Sequence, residues 1–325
     1  MNYRSLGRTG LVVSEIGFGA WAIGGRTVSQ TSYGDTDDRT SLAALIRAHD
    51  CGITFFDTSA VYGNGHSEEL IGEALGGGFR HKVVLATKAG YEAWDRPPDF
   101  SAEAIVASTE RSLGRLRTDY LDLLLLHNAP LDVLLAPDVR EVLARLVTSG
   151  KIRSWGASAK GPADALEALR ACDVPVIQAN FNMMDVRAVI GGLFEEVSRQ
   201  NAGFIARTPL CFGFLSGTVT RDTKFPPGDH RLGWSSAQLA NWIDGARDLL
   251  DVVSASPGLA GVQAALRFCL AFPEVSTTIP GILTPAEAGQ NAAASELGAL
   301  PKDAVAAVLE INRNRQFFVA AARAS

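Results

Sequence analysis

Cysteine is scarce in this chain. Four occur in 325 residues, Cys51, Cys172, Cys211 and Cys269, and none belongs to a CxxC pair. Neither a structural zinc site nor a dithiol redox motif is therefore suggested, and the four are expected as reduced core or helix residues. An excess of positive charge is also missing: Lys and Arg total 30 against 35 Asp and Glu, for a formal net charge of −5. The basic residues are scattered rather than gathered into a stripe, which argues against duplex nucleic acid as a partner. No apolar run reaches the ~18 residues that a membrane span needs. The opening Met1-Asn2-Tyr3-Arg4-Ser5 lacks the charged-then-apolar order of a secretory signal. The expectation is a cytoplasmic protein with no membrane partner. Low-complexity tracts, short repeats and linkers are absent too, so one domain over residues 1–325 is expected.

What is present is 47% apolar and 20% charged residues, the balance of a globular enzyme, set out in a regular rhythm. A hairpin-like pair comes first, Tyr3–Leu6 and Leu11–Ser14, joined across Gly7–Gly10. Strand-like runs follow at Ile16–Phe18, Ile53–Phe56, Val83–Thr87, Leu121–Leu126, Ile152–Gly156, Val176–Ala179, Phe204–Arg207 and Ser276–Ile279. Between them lie helical patterns at Arg39–Cys51, Ser67–Leu75, Ala102–Leu116, Pro137–Ser149, Pro162–Ala171, Ile190–Gln200, Ser236–Val253 with Pro257–Ala271, and Pro285–Ala294 onward. Eight strands each followed by a helix is the count of an α/β (β/α)8 TIM barrel, whereas an open doubly wound sheet more often stops at about five or six. The stretch Thr208–Ser235, rich in Gly, Pro and Thr, is long for a simple connection and is a candidate clamp after the seventh strand, the alternative being a tolerated surface insertion.

In such a barrel the chemistry belongs at the carboxyl ends of the strands. Those ends carry Trp21, Asp57, Lys88, His127, Ser158, Gln178 with Asn180, Arg207 and Pro280-Gly281. Each alone has an ordinary explanation: Asp57 and Ser158 as helix caps, Lys88 as a solvated strand end, His127 as a hydrogen-bonded core residue. Together they converge on one mouth. Tyr62 follows Asp57 in the loop Val61-Tyr62-Gly63-Asn64-Gly65-His66, whose glycines permit tight turning. A phenol titrates near ~10, too weak an acid to protonate an alkoxide efficiently at neutral pH unless a cation stabilises the phenolate. Lys88 is such a cation, Asp57 could hold it by an ion pair, and a neutral His127 could polarise a substrate oxygen.

Five segments in order resemble the aldo-keto reductase superfamily: Gly17-Phe18-Gly19-Ala20-Trp21, Phe55-Phe56-Asp57-Thr58-Ser59-Ala60-Val61-Tyr62-Gly63, Ala86-Thr87-Lys88, Asp119 through His127, and Ile279-Pro280-Gly281. The resemblance spans almost the whole chain. It implies a catalytic tetrad of Asp57, Tyr62, Lys88 and His127, with Tyr62 as proton donor in reduction and acceptor in oxidation. It also implies an extended NADH or NADPH bound without a Rossmann unit, and no GxGxxG follows the first strand-like run. The cofactor residues so implied are Gly19, Trp21, Ser158, Gln178, Arg207, Pro209, Leu210, Gly213, Leu215, Gly217, Ile279, Gly281, Leu283, Glu287, Gln290 and Asn291. The substrate would meet Trp21, Tyr62, His127 and Asn128, with Tyr91, Trp94 and Trp234 as further aromatic walls.

The chain departs from the family pattern at informative places. Ala159 stands where an Asn usually contacts the nicotinamide carboxamide, and Asn180 is a candidate replacement. Arg207 stands where many members stack a Tyr or Trp, and its planar guanidinium can also lie on an aromatic face. Thr218 replaces a frequent Lys near the pyrophosphate. Leu283 and Glu287 occupy positions where many NADPH-using relatives carry a cation and a Gln, which tilts the expectation toward NAD(H) over NADP(H). Thr284-Pro285-Ala286-Glu287 also reads as a capping box with Pro at the first helical position. The alternative is a non-catalytic, cofactor-binding regulatory protein on the same barrel, against which stands the presence of all four tetrad residues. An unrelated barrel isomerase or lyase would call for a metal or phosphate cluster, and none is evident.

Overall fold

A computed structural model describes residues 1–27, 32–253 and 261–319. β1 (Tyr3–Ser5) and β2 (Val12–Ser14) pair antiparallel, with Tyr3 opposite Ser14. Eight parallel strands follow: β3 (Phe18–Gly19), β4 (Phe55–Asp57), β5 (Val84–Ala89), β6 (Leu121–His127), β7 (Ile152–Ser158), β8 (Val176–Asn180), β9 (Gly203–Arg207) and β10 (Val275–Ile279). Each neighbours the next in chain order. The last meets the first, because the Gly17 and Gly19 N–H groups donate to the carbonyls of Thr278 and Pro280 at 2.8 and 2.9 Å, and Thr278 N–H to Glu15 at 3.0 Å. A Cβ on Gly19 would fall 2.8 Å from the Ile279 carbonyl oxygen, so glycine is what lets the two strands meet. The result is the expected (β/α)8 barrel.

Around it run α1 (Asp38–Asp50), α2 (His66–Leu75), α3 (Ala102–Arg115), α4 (Leu131–Leu135), α5 (Pro137–Thr148), α6 (Pro162–Ala171), α7 (Arg187–Ile190), α8 (Leu193–Gln200), α9 (Ser236–Val253), α10 (Gly261–Leu270), α11 (Pro285–Leu297) and α12 (Lys302–Asn314). The single helix expected over Ile190–Gln200 is instead two, because Gly191 and Gly192 intervene and Gly192 adopts φ 81°. Of the helix expected from Pro257, residues 257–260 lie outside the described residues.

Several strands also run further than expected, through Asp57, Ala89, His127, Ser158 and Asn180. The expected ends fell where the apolar run stopped, but a ladder is made of backbone groups and is indifferent to side-chain polarity. Lys88 still registers with Leu125, and Ser158 with both His127 and Gln178.

One apolar cluster fills the barrel: Phe55, Ala86, Leu123, Leu125, Val176, Ile205 and Ile279, closed from below by Leu6, Leu11 and Val13 of the hairpin region. A larger one lies between strands and helices. Arg4 fastens the hairpin, its guanidinium donating to the carbonyls of Leu270, Phe272 and Val275 at 2.8, 3.2 and 2.8 Å. The amino end of the barrel is thus plugged, which leaves the carboxyl end for chemistry.

Candidate active site

Strand alternation builds the site. Successive side chains on a strand point to opposite faces, and Phe55, Ala86, Leu125, Val176 and Ile205 face the lumen. The residues two positions beyond them are Asp57, Lys88, His127, Gln178 and Arg207, which therefore crown the same face at its carboxyl rim. Tyr62 reaches them from the loop before α2. There Gly63, Asn64 and Gly65 take φ values of 61°, 55° and 100°. A Cβ on Gly63 would lie 2.1 Å from the Gly24 carbonyl oxygen, so the turn that presents Tyr62 requires glycine.

Lys88 is the hub. Its ammonium donates to Asp57 Oδ1 at 2.6 Å, to the Thr58 carbonyl at 2.8 Å and to the Tyr62 hydroxyl at 3.2 Å. An ammonium has three N–H donors, and all three are used. Burial alone would pull the Lys88 pKa down, but the charge of Asp57, and then Tyr62, outweighs it and the net shift is upward. The ion pair is nearly sealed from solvent, Lys88 being 1% and Asp57 2% exposed, and such a pair persists only with its remaining lone pairs satisfied. They are: Asp57 Oδ2 accepts from Gln178 Nε2 at 2.8 Å, and Gln178 Oε1 accepts from Ser158 Oγ at 3.0 Å.

His127 stands beside this chain, its ring centroid 6.1 Å from that of Tyr62 and 5.5 Å from those of Tyr91 and Trp94. Burial, reinforced by the positive charges of Lys88 and Arg207, holds its pKa well below the usual imidazole range. The ring is therefore neutral at physiological pH and can donate one hydrogen bond without competing for the proton in transit.

The remaining candidates divide. Arg207 donates through Nη2 to the carbonyls of Ala159 and Lys160 at 2.8 and 3.1 Å, and its Nε is buried without a partner. Asn291 Nδ2 is likewise a buried donor without a partner, next to exposed Gln290. Asn180 Oδ1 already accepts from Thr208 Oγ1 at 3.1 Å. Gly19 and Gly281 bridge at the barrel seam beside Ile279. Of the segment after β9, Pro209 and Leu215 are buried, while Leu210 and Gly213 are half-buried and Gly217 exposed. Glu287 accepts from the backbone N–H groups of Leu283 and Thr284 at 2.7 and 3.1 Å, completing the capping box that opens α11.

Trp21 rests edge-on to Tyr33 and His230, with centroids 5.1 and 4.7 Å away. Trp234 packs against Phe212 and Trp242 at 4.8 and 4.7 Å, so it belongs to the aromatic cluster that anchors the Thr208–Ser235 stretch. That stretch holds short 3-10 turns at Cys211–Ser216 and His230–Gly233. Asn128 has φ 53° and a buried Oδ1 without a partner, and its N–H donates to the Ser158 carbonyl at 2.7 Å. Sequence reasoning missed two contributors, the Thr58 carbonyl on Lys88 and the Ser59 hydroxyl 3.2 Å from His127 Nδ1. A backbone acceptor leaves no trace in a sequence. Ser59 was visible only as the residue after Asp57-Thr58.

The Aldo/keto reductase family matches residues 15–313. Aldo-keto reductase YhdN of Bacillus subtilis is 31% identical over 91% of this chain and 88% of its own. The NADH-specific methylglyoxal reductase of Escherichia coli is 30% identical over 92% of this chain and 95% of its own. Among solved structures, the holo form of aldo-keto reductase AKR11C1 from Bacillus halodurans superposes with a TM-score of 0.76 at 26% identity, covering 96% of each chain. With a barrel closed strand by strand and matches of this extent, the chain belongs to the aldo/keto reductase family and is an NAD(P)-dependent oxidoreductase of carbonyl substrates.

Proposed function

We propose that Tyr62 gives its phenolic proton to the carbonyl oxygen of a small aldehyde or ketone held at the open mouth, and takes a proton back when an alcohol is oxidised. Nicotinamide dinucleotide, when bound, supplies or accepts the hydride. Lys88 stabilises the phenolate that Tyr62 leaves behind, Asp57 keeps the ammonium aimed, and His127 donates to the substrate oxygen as negative charge grows on it. The observation that carries this reading is the buried ammonium whose donors join Asp57 to Tyr62.

The residues present fit the dinucleotide. Ser158, Gln178 and the unpartnered Nε of Arg207 would hold its nicotinamide end. Residues 209–217 would hold the pyrophosphate, and Leu283, Glu287, Gln290 and Asn291 the adenosine. Trp94 Nε1 and Asn128 Oδ1, both buried without partners, offer a donor and an acceptor to a substrate with a second oxygen beside its carbonyl. The similarity to a methylglyoxal reductase supports small dicarbonyls and hydroxyaldehydes first. Nicotinamide absorbance with a panel of such compounds is the test. Turnover with at least one is expected, and cofactor binding with no turnover on any would favour the regulatory reading instead.

NADH is expected to serve at least as well as NADPH. A 2′-phosphate needs charge-assisted bonds from Arg or Lys, which Leu283 cannot make, and the Glu287 carboxylate is fixed beside that position by its two backbone bonds. Binding of both cofactors to the wild type and to Leu283→Arg/Glu287→Gln should show preference moving toward NADPH in the variant. A wild type preferring NADPH by more than about tenfold, a difference that one charge-assisted bond could supply, would overturn this reading and leave the tetrad untouched.

A further inference from the structure

The buried hydroxyl of Ser59 lies 3.2 Å from Nδ1 of His127. Two arrangements fit that distance. In one, Ser59 Oγ–H donates to a bare Nδ1 and the imidazole carries its single proton on Nε2. In the other, Nδ1–H donates to Ser59 Oγ and Nε2 presents a lone pair. They differ in what is left unmet. Among the described residues no other hydrogen bond involves the Ser59 hydroxyl, so the second arrangement buries its proton with no acceptor. The first leaves spare oxygen lone pairs and an Nε2–H that no described residue accepts, but Nε2 is not among the buried atoms without a partner and is open to a substrate or solvent acceptor. A buried donor without an acceptor is the costlier of the two.

From this geometry we infer that Ser59 is a positioning residue: it donates to His127 Nδ1 and so fixes the tautomer whose Nε2–H is available to the substrate oxygen. The inference rests on the reading of His127 as the donor to the carbonyl. The surroundings reinforce it. Tyr91 and Trp94 wall the ring through their aromatic faces and edges, and neither bonds Nδ1. Lys88 and Arg207, with burial, keep the imidazole neutral, so one nitrogen alone carries hydrogen and its identity decides whether the ring can donate. Without Ser59 nothing described here would hold that choice, and the ring would divide between a donating and a non-donating form.

The tautomer can be read directly by long-range proton–nitrogen NMR on protein with labelled histidine, the His127 signals being assigned from their loss in His127→Gln. The wild type should show a protonated Nε2 and an unprotonated, hydrogen-bonded Nδ1. Ser59→Ala should give a mixed tautomer, with kcat falling about 5–10-fold, the worth of one ordinary hydrogen bond, and with the KM for the dinucleotide unchanged. Ser59→Thr keeps the hydroxyl and should restore the wild-type tautomer and most of kcat, which a merely structural role for the site would not predict. A wild-type proton on Nδ1, or a Ser59→Ala spectrum identical to wild type, overturns the assignment and leaves Tyr62 and Lys88 as they stand. A changed tautomer with undiminished kcat overturns it differently, because His127 would then not be the donor to the carbonyl.

Discussion

Tyr62→Phe is expected to lower kcat by ~10²–10⁴, the usual worth of a positioned general acid, while dinucleotide affinity stays near normal. The change removes one oxygen. The ring, half-buried above the Lys88 ammonium at 4.8 Å from its centroid, keeps its packing. Asp57 and Thr58 continue to hold Lys88, so neither the fold nor the mouth has reason to move. The loss should therefore fall on the chemical step. Steady-state kinetics with a dicarbonyl, together with dinucleotide binding by fluorescence, would show it. A drop in kcat smaller than about tenfold would mean that another group delivers the proton.

Lys88→Met should be at least as damaging to turnover and, unlike the tyrosine change, should also weaken the fold. Three acceptors lose their donor at once, and Asp57, 2% exposed, is left as a buried carboxylate with Gln178 as its remaining partner. Removing one member of a buried ion pair typically costs ~3–5 kcal/mol. The sign of its pH dependence follows from the raised pKa of Lys88. A base whose folded pKa lies above its unfolded value contributes stability that is fully present below the unfolded value, ~10.4, and is lost as pH rises through the folded one. The destabilisation should thus be undiminished across neutral pH and shrink only in strong alkali. Thermal unfolding of wild type and Lys88→Met at neutral pH and in alkali tests this, and equal melting temperatures at neutral pH would show that the pair contributes nothing net.

Much of this was legible before any coordinate. The eight strands are legible as short apolar runs, and Asp57, Lys88 and His127 stand out because strand ends are where this fold places chemistry, whereas Tyr62 lies in a loop and its place in the tetrad is what the family resemblance implies. The polar strand ends that build the site are also what hides the true strand lengths in the sequence. Lys88, His127 and Ser158 look like loop residues by polarity, yet they sit within the ladder, where backbone bonds hold them more rigidly than a loop could. The division of α7 from α8 is written in the Gly191-Gly192 pair, but the apolar period resumes beyond it and masks the break. Glu287 reads both as a cap and as a candidate cofactor neighbour, and its carboxylate is committed to the cap. The bonds from Gln178 to Asp57 and from Ser59 to His127 could not be foreseen, since each joins residues distant in the chain and depends on rotamers that only packing determines.

The seam where the barrel closes has a consequence for biosynthesis. β3 emerges from the ribosome early, but the carbonyls of Thr278 and Pro280 that accept its neighbouring N–H groups, and those of Leu270, Phe272 and Val275 that hold Arg4, are made more than 250 residues after it. Until then the growing protein carries two bare sheet edges, one at β3 and one at β9, of the kind that recruit other chains. Contacts so far apart in sequence also form slowly. A nascent chain halted after β9 would therefore be sticky rather than merely incomplete. Its amino-terminal hairpin would lack the carbonyls of Leu270, Phe272 and Val275 onto which Arg4 fastens, so the plug at the amino end of the barrel would stay loose until β10 is in place.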